Sequence, residues 1–108
     1  MFHRDIHWPN IILSPGDSTR WFLVDWDDAT MSPTHAVTHL SPDSHSPAVF
    51  EDNHGAEVDI WGVGKLILDA SAFVTGMSET MMHIGKQMVE GLIETADMAQ
   101  LYIRQSAV

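Results

Sequence analysis

His3-Arg4-Asp5-Ile6-His7-Trp8-Pro9-Asn10 is the stretch on which the reading of this chain turns, and Phe22-Leu23-Val24-Asp25-Trp26 is its complement. Pro9 fixes its own φ and blocks a helix, so residues 1–10 read as a loop. Ile11-Ile12-Leu13 and Trp21-Phe22-Leu23-Val24 are short β-prone runs on either side of the turn cluster Ser14-Pro15-Gly16-Asp17-Ser18, which predicts a hairpin. Asp5 and Asn10 then lie in the loop before the first strand, and Asp25 stands at the end of the second. Mg²⁺-assisted phosphoryl transfer asks for such a set: one carboxylate to take the proton of the attacking hydroxyl, and an amide oxygen with a second carboxylate to hold Mg²⁺.

Composition narrows the partners. At 108 residues and 12.0 kDa the chain is at most one small domain, residues 1–108. Fifteen acidic against five basic residues give a formal charge of −10, which argues against nucleic acid or an anionic membrane as the main partner. No run approaches the roughly eighteen apolar residues of a membrane span, and Met1-Phe2-His3-Arg4-Asp5 has no apolar signal-peptide core. There is no Cys, so disulfides and thiolate metal sites are excluded. A cytoplasmic location is the expectation from these absent signals.

Residues 27–55 hold Pro33, Pro42 and Pro47 among many Ser, Thr and His, with no periodicity, and predict an extended loop. From about Ala56 the pattern changes. Val58, Ile60, Trp61, Val63, Leu66, Ile67 and Leu68 surround a helix on nearly all sides, which predicts a central, buried one. Met81, Ile84, Met88 and Leu92 follow helical spacing, with Ser78-Glu79 suited to the start and Gly91 to the end. Met98, Leu101 and Tyr102 mark a last short helix capped by Thr95. Trp26 and Trp61 are expected to pack in the core.

Five landmarks in this order resemble the second half of a protein-kinase C-lobe, most closely the divergent protein-kinase-like proteins of fungi. His3-Arg4-Asp5 with Asn10 is similar to the catalytic loop, and Asp25-Trp26-Asp27 stands where that family has Asp-Phe-Gly. Ser46-Pro47-Ala48 resembles the Ala-Pro-Glu that closes the activation segment, and Val58-Asp59-Ile60-Trp61-Gly62-Val63-Gly64 the start of the central helix. The fold class implied is α+β and mostly helical: a partial C-lobe of catalytic loop, hairpin, activation segment, central helix and two short helices, with the N-lobe absent. The resemblance implies Asp5 as catalytic base, Asn10 and Asp25 as Mg²⁺ ligands on ATP, and His3 in the hydrophobic spine. It makes Asp59 the anchor of the catalytic-loop backbone, gives Trp61 a structural role, and makes Arg4 the partner of a phosphorylated activation loop. Thr30, Ser32, Thr34 and Thr38 lie where such a phosphosite would fall.

Departures from the family pattern bear on activity. His7 stands where a Lys is usual, Asp27 replaces a Gly, and Ala48 replaces a Glu that pairs with a later Arg, of which Arg104 is the one available. Within these residues there is no Gly-x-Gly-x-x-Gly, and neither Lys65 nor Lys86 can be the phosphate-orienting strand Lys. The chain as it stands is therefore expected to be inactive. Its partners would be a protein substrate or the missing N-lobe, or a second copy met through exposed core.

Two other readings stay open. His7 and Val24-Asp25-Trp26-Asp27-Asp28 also resemble the aminoglycoside and choline phosphotransferases, which are small-molecule kinases. A non-catalytic pseudokinase remnant or interaction module is the reading from a different class. His35, His39 and His45 could be taken for a metal cluster, but their loop has no supporting Cys and no zinc-site spacing.

Overall fold

The chain folds into a short hairpin, a long loop and three helices, as seen in a computed structural model that describes residues 1–106. Strands β1 (Ile11–Ser14) and β2 (Asp17–Leu23) pair antiparallel, with Ile11 opposite Leu23 and Leu13 opposite Trp21. The turn is tighter than the five-residue cluster predicts, because Pro15-Gly16 alone makes it and Asp17 already pairs with Ser14. Trp8–Asn10 forms a single 3-10 turn ahead of β1. The Asn10 carbonyl then accepts from the Val24 N–H at 2.8 Å, so the loop and the end of the hairpin are joined.

Residues 27–55 form the extended loop expected of their composition, broken by one 3-10 turn at Pro47–Phe50 whose start is capped by the Ser46 hydroxyl. Helix α1 runs over Glu57–Ser71, α2 over Glu79–Val89 and α3 over Ala96–Ser106. Ser78 caps α2 by accepting from the Met81 N–H at 3.0 Å, and Thr95 does the same for Met98 at 3.1 Å. Gly91, at φ +77°, supplies the left-handed residue that ends α2. The architecture is α+β, with its regular structure mostly helical.

Helix α1 stands between two apolar clusters. On one side Val58 joins Val37 and Val49 of the loop; on the other Ile60 joins Ile84 and Met88 of α2, Ala99 of α3 and Ile93 between them. Gly64 lets α2 approach closely, since a Cβ there would lie 2.7 Å from the Gly85 carbonyl oxygen.

The expectation of a helix buried all round is corrected. Of the fifteen residues of α1, Val58, Ile60, Gly62 and Gly64 are buried, while the turns from Lys65 onward are half-buried. The loop covers the helix only near its start, so Leu66 and Ile67 line an apolar cleft of about 380 Å³ with Trp8, Met77 and Met81. Trp26 is likewise not a core residue. It is 50% exposed, because the chain turns sharply at Asp25 and leaves the indole lying edge-on to His3. Trp61 is half-buried. Among the described residues no helix is long and apolar enough to cross a membrane.

Candidate functional site

Asp59 organises the site. Its Oδ2 accepts from the His3 N–H and its Oδ1 from the Arg4 N–H, each at 2.8 Å. One turn further along α1, Gly62 lies on the same face. A Cβ at Gly62 would meet the Ile6 carbonyl oxygen at 2.9 Å, so only glycine lets the loop lie this close. Asp59 and Gly62 together make a cradle on the helix for residues 3–6. Backbone bonds to a carboxylate are the stronger, charge-assisted kind, which accounts for Arg4 being held at φ +73°. A non-glycine residue there costs on the order of 1 kcal/mol or more.

His3 is 2% exposed and joins the loop to the hairpin. The Asp5 N–H donates to His3 Nδ1 at 3.1 Å, and Nε2 faces the Val24 carbonyl oxygen at 2.9 Å. Since an amide can only donate and a carbonyl only accept, the ring proton resides on Nε2. The next residue, Asp25, is left-handed at φ +57° and exposed. Its Oδ1 takes one long bond, 3.4 Å, from the Asp27 N–H.

Asp5 and Asn10 meet directly. Asn10 Nδ2 donates to the Asp5 carbonyl oxygen at 2.9 Å and to Asp5 Oδ2 at 3.0 Å, which turns the Asn10 amide oxygen away from Asp5. Both residues are buried, Asp5 to 8% and Asn10 to 7% exposure. The other carboxylate oxygen, Oδ1, lies 2.5 Å from His45 Nε2 and 3.3 Å from His7 Nε2. Asp5, His7 and His45 thus present one oxygen and two nitrogens that all lie within 4.8 Å of one another.

Arg4 turns away from this centre into the long loop. Its Nε donates to the Asp28 carbonyl oxygen at 2.6 Å, and Nη1 reaches the His35 carbonyl oxygen at 3.2 Å and His54 Nε2 at 3.4 Å. His54 is 4% exposed and gives its Nδ1 proton to the Glu51 carbonyl oxygen. Thr34 is 1% exposed with its hydroxyl donating to the His54 carbonyl oxygen, so of the loop hydroxyls read as phosphosites this one is closed to an incoming enzyme. Ser32 and Thr38 are exposed.

The sequence reading weighs His45 only together with His35 and His39, not with Asp5, and does not single out His54. His45 and His54 both lie in the aperiodic loop, where spacing carries no information about what a side chain will touch. His35, His39 and His45 do not share a site: His39 faces Asp28, His35 offers Arg4 its carbonyl, and His45 turns inward to Asp5.

No protein-family model and no solved structure matches the chain. Over 69 residues, 60% of this chain, it is 41% identical to Crinkler effector protein 8 of Phytophthora infestans. The chain spans 11% of the length of that relative.

Proposed function

We propose that this chain is the catalytic-loop half of a protein-kinase-like domain, whose chemistry is Mg²⁺- and ATP-dependent phosphoryl transfer to protein hydroxyls. The observation that carries the reading is the Asp59 carboxylate gripping the backbone of His3 and Arg4. A helix that dictates the course of a loop bearing Asp5 and Asn10 is what a phosphotransferase needs, because positioning supplies most of its catalysis. Asn10 and Asp25 would hold Mg²⁺. The donor chemistry fits, since Asn10 spends its N–H bonds on Asp5 and keeps its amide oxygen, while the exposed Asp25 carboxylate is nearly unengaged. Bound there, Mg²⁺ would neutralise the charge on the phosphates.

In this reading Asp5 takes the proton of the attacking hydroxyl. Its two oxygens are engaged by Asn10 and His45, so His45 has to withdraw before Oδ1 can act as a base. The 108 residues carry no glycine-rich loop and no strand Lys for the nucleotide, so by themselves they do not turn over ATP. The partial likeness to a protein named as an effector supports a place for the domain in proteins of that type.

Mg²⁺ itself, which takes oxygen ligands and passes over imidazoles, provides the test. In an amide-resolved NMR titration, shift changes are expected first at the Asp25 N–H with the Asn10 side-chain amide, and are lost in Asp25→Ala. Shift changes that bypass Asp25 would overturn the metal assignment. ATP turnover by the chain alone that vanishes in Asp25→Ala would overturn its inactivity.

A further inference from the structure

The contact between His45 and Asp5 is underdetermined in protons. His45 Nδ1 lies 2.8 Å from the Ser41 carbonyl oxygen, which can only accept, and 3.0 Å from the Ser44 hydroxyl. Nε2 points at the Asp5 carboxylate, also an acceptor. An imidazole with one proton can give it to only one of these partners. With the proton on Nε2, Asp5 is satisfied and Nδ1 accepts from Ser44 but faces the Ser41 carbonyl; with Nδ1–H on Ser41, the Nε2 lone pair faces a carboxylate lone pair at a place where the His45 side chain is 5% exposed and that of Asp5 11%. Burial of two facing lone pairs is costly unless a positive centre lies between them. A proton would suffice for one imidazole. Here a second, His7, brings its Nε2 to 3.3 Å from the same oxygen.

We infer that Asp5 Oδ1, His7 Nε2 and His45 Nε2 form a binding site for a first-row transition ion of the Zn²⁺ class. Two imidazoles and a carboxylate are the donors such ions prefer, whereas Mg²⁺ takes oxygen. The site is therefore chemically distinct from the Asn10–Asp25 pair. The surroundings are those of a ligand shell: Ser41 fixes the tautomer of His45, and Asn10 holds Oδ2 so that Oδ1 binds alone. Tetrahedral bonds of about 2.0–2.1 Å need ligand atoms about 3.3 Å apart. His7 already stands at that separation from Oδ1, and His45 reaches it by swinging out about 0.8 Å from its 2.5 Å contact. The fourth position opens on the His7 side, where the side chain is 27% exposed. On the phosphotransferase reading, a bound ion would take Asp5 out of action as a base; the binding itself does not depend on that reading.

The test uses the whole chain, stripped of metal with a chelator and then dialysed free of it. Zn²⁺ is titrated against a chelating dye, and Co²⁺ is followed by its visible ligand-field absorption. One Zn²⁺ per chain is expected, with affinity falling ~100-fold or more in His45→Gln and in His7→Gln. His83→Gln, an exposed histidine on α2, should bind as the parent does. Should His45→Gln fail to fold, His7→Gln decides alone, because His7 is half-buried and belongs to neither apolar cluster. Absence of stoichiometric Zn²⁺ binding, or binding indifferent to both substitutions, would overturn the site and leave a shared proton as the occupant. Since no ATP is present and neither Asn10 nor Asp25 is altered, such a failure is distinguishable from failure of the Mg²⁺ assignment.

Discussion

Replacing Asp59 with alanine removes the acceptor of two backbone N–H groups and leaves both without a partner in a partly buried place. Hydrogen bonds to a charged group contribute about 1.5–3 kcal/mol each, so the two together amount to about 3–6 kcal/mol. Part of this returns when Arg4 leaves its left-handed conformation, which is worth about 1 kcal/mol. The net loss worked from this geometry is about 3 kcal/mol, a large share of the ~5–15 kcal/mol that holds a typical domain. For a domain of this size it corresponds to a melting point lower by roughly 10–20 °C. With a urea slope of roughly 1.5 kcal/mol/M, the midpoint falls by ~2 M. Tryptophan fluorescence reports the transition, helped by Trp26, whose ring centroid lies 4.6 Å from that of His3. Asp59→Asn keeps one acceptor oxygen but turns amide protons toward the other N–H, and should fall between parent and alanine. An Asp59→Ala protein within ~0.5 kcal/mol of the parent, the scatter of ordinary surface changes, would refute the claim that this carboxylate holds the loop.

Two further outcomes follow from the same structure. Gly62→Ala places a Cβ 2.9 Å from the Ile6 carbonyl oxygen and should cost ~1–3 kcal/mol, read by urea denaturation with the His3 and Arg4 amides losing exchange protection; an unchanged midpoint would show that the loop yields freely. Asp17, the first residue of β2, accepts from the Thr19 hydroxyl at 2.6 Å and the Thr19 N–H at 2.9 Å, and these bonds hold its carboxyl below the ordinary range. Because the folded value lies below the unfolded one, this contribution is complete above the unfolded value and is lost as pH falls through the folded one. Thr19→Val should move the carboxyl resonance titration of Asp17 upward, and no movement would remove the hydroxyl as a cause.

Much of the fold was legible because its signals are local. Ser78 and Thr95 announce their helices by bonds that reach three residues along the chain, and Gly91 ends α2 through its own backbone. Burial was less legible. The apolar residues around α1 state what the helix would prefer to cover, but whether Leu66 meets a neighbour depends on segments far away in sequence. Trp26 shows the same limit from the other side, since an indole beside a carboxylate turn is placed by the φ of Asp25 and not by its hydropathy. In the site, Asp5 and Asn10 are brought together across five residues, whereas His45 reaches Asp5 across 40 with no periodicity to announce it.

That difference in range bears on how the centre can work. Asp5 is held on one oxygen by Asn10, which belongs to the same short loop, and the loop is itself fixed to α1 through Asp59 and Gly62. On the other oxygen it is held by His45, carried on a segment whose ties are of a different kind: contacts of the His45 Nδ1 with the Ser41 carbonyl and the Ser44 hydroxyl, and the packed Val37 and Val49 side chains on either side in sequence. The first hold lies in a loop that α1 grips at residues 3–6. The second depends on one imidazole. On the phosphotransferase reading, a carboxylate held on one oxygen by its own loop and on the other by a distant histidine would keep its orientation while the second oxygen is covered or bared, and His45 is the covering residue that a mutation can change without altering the loop that orients Asp5.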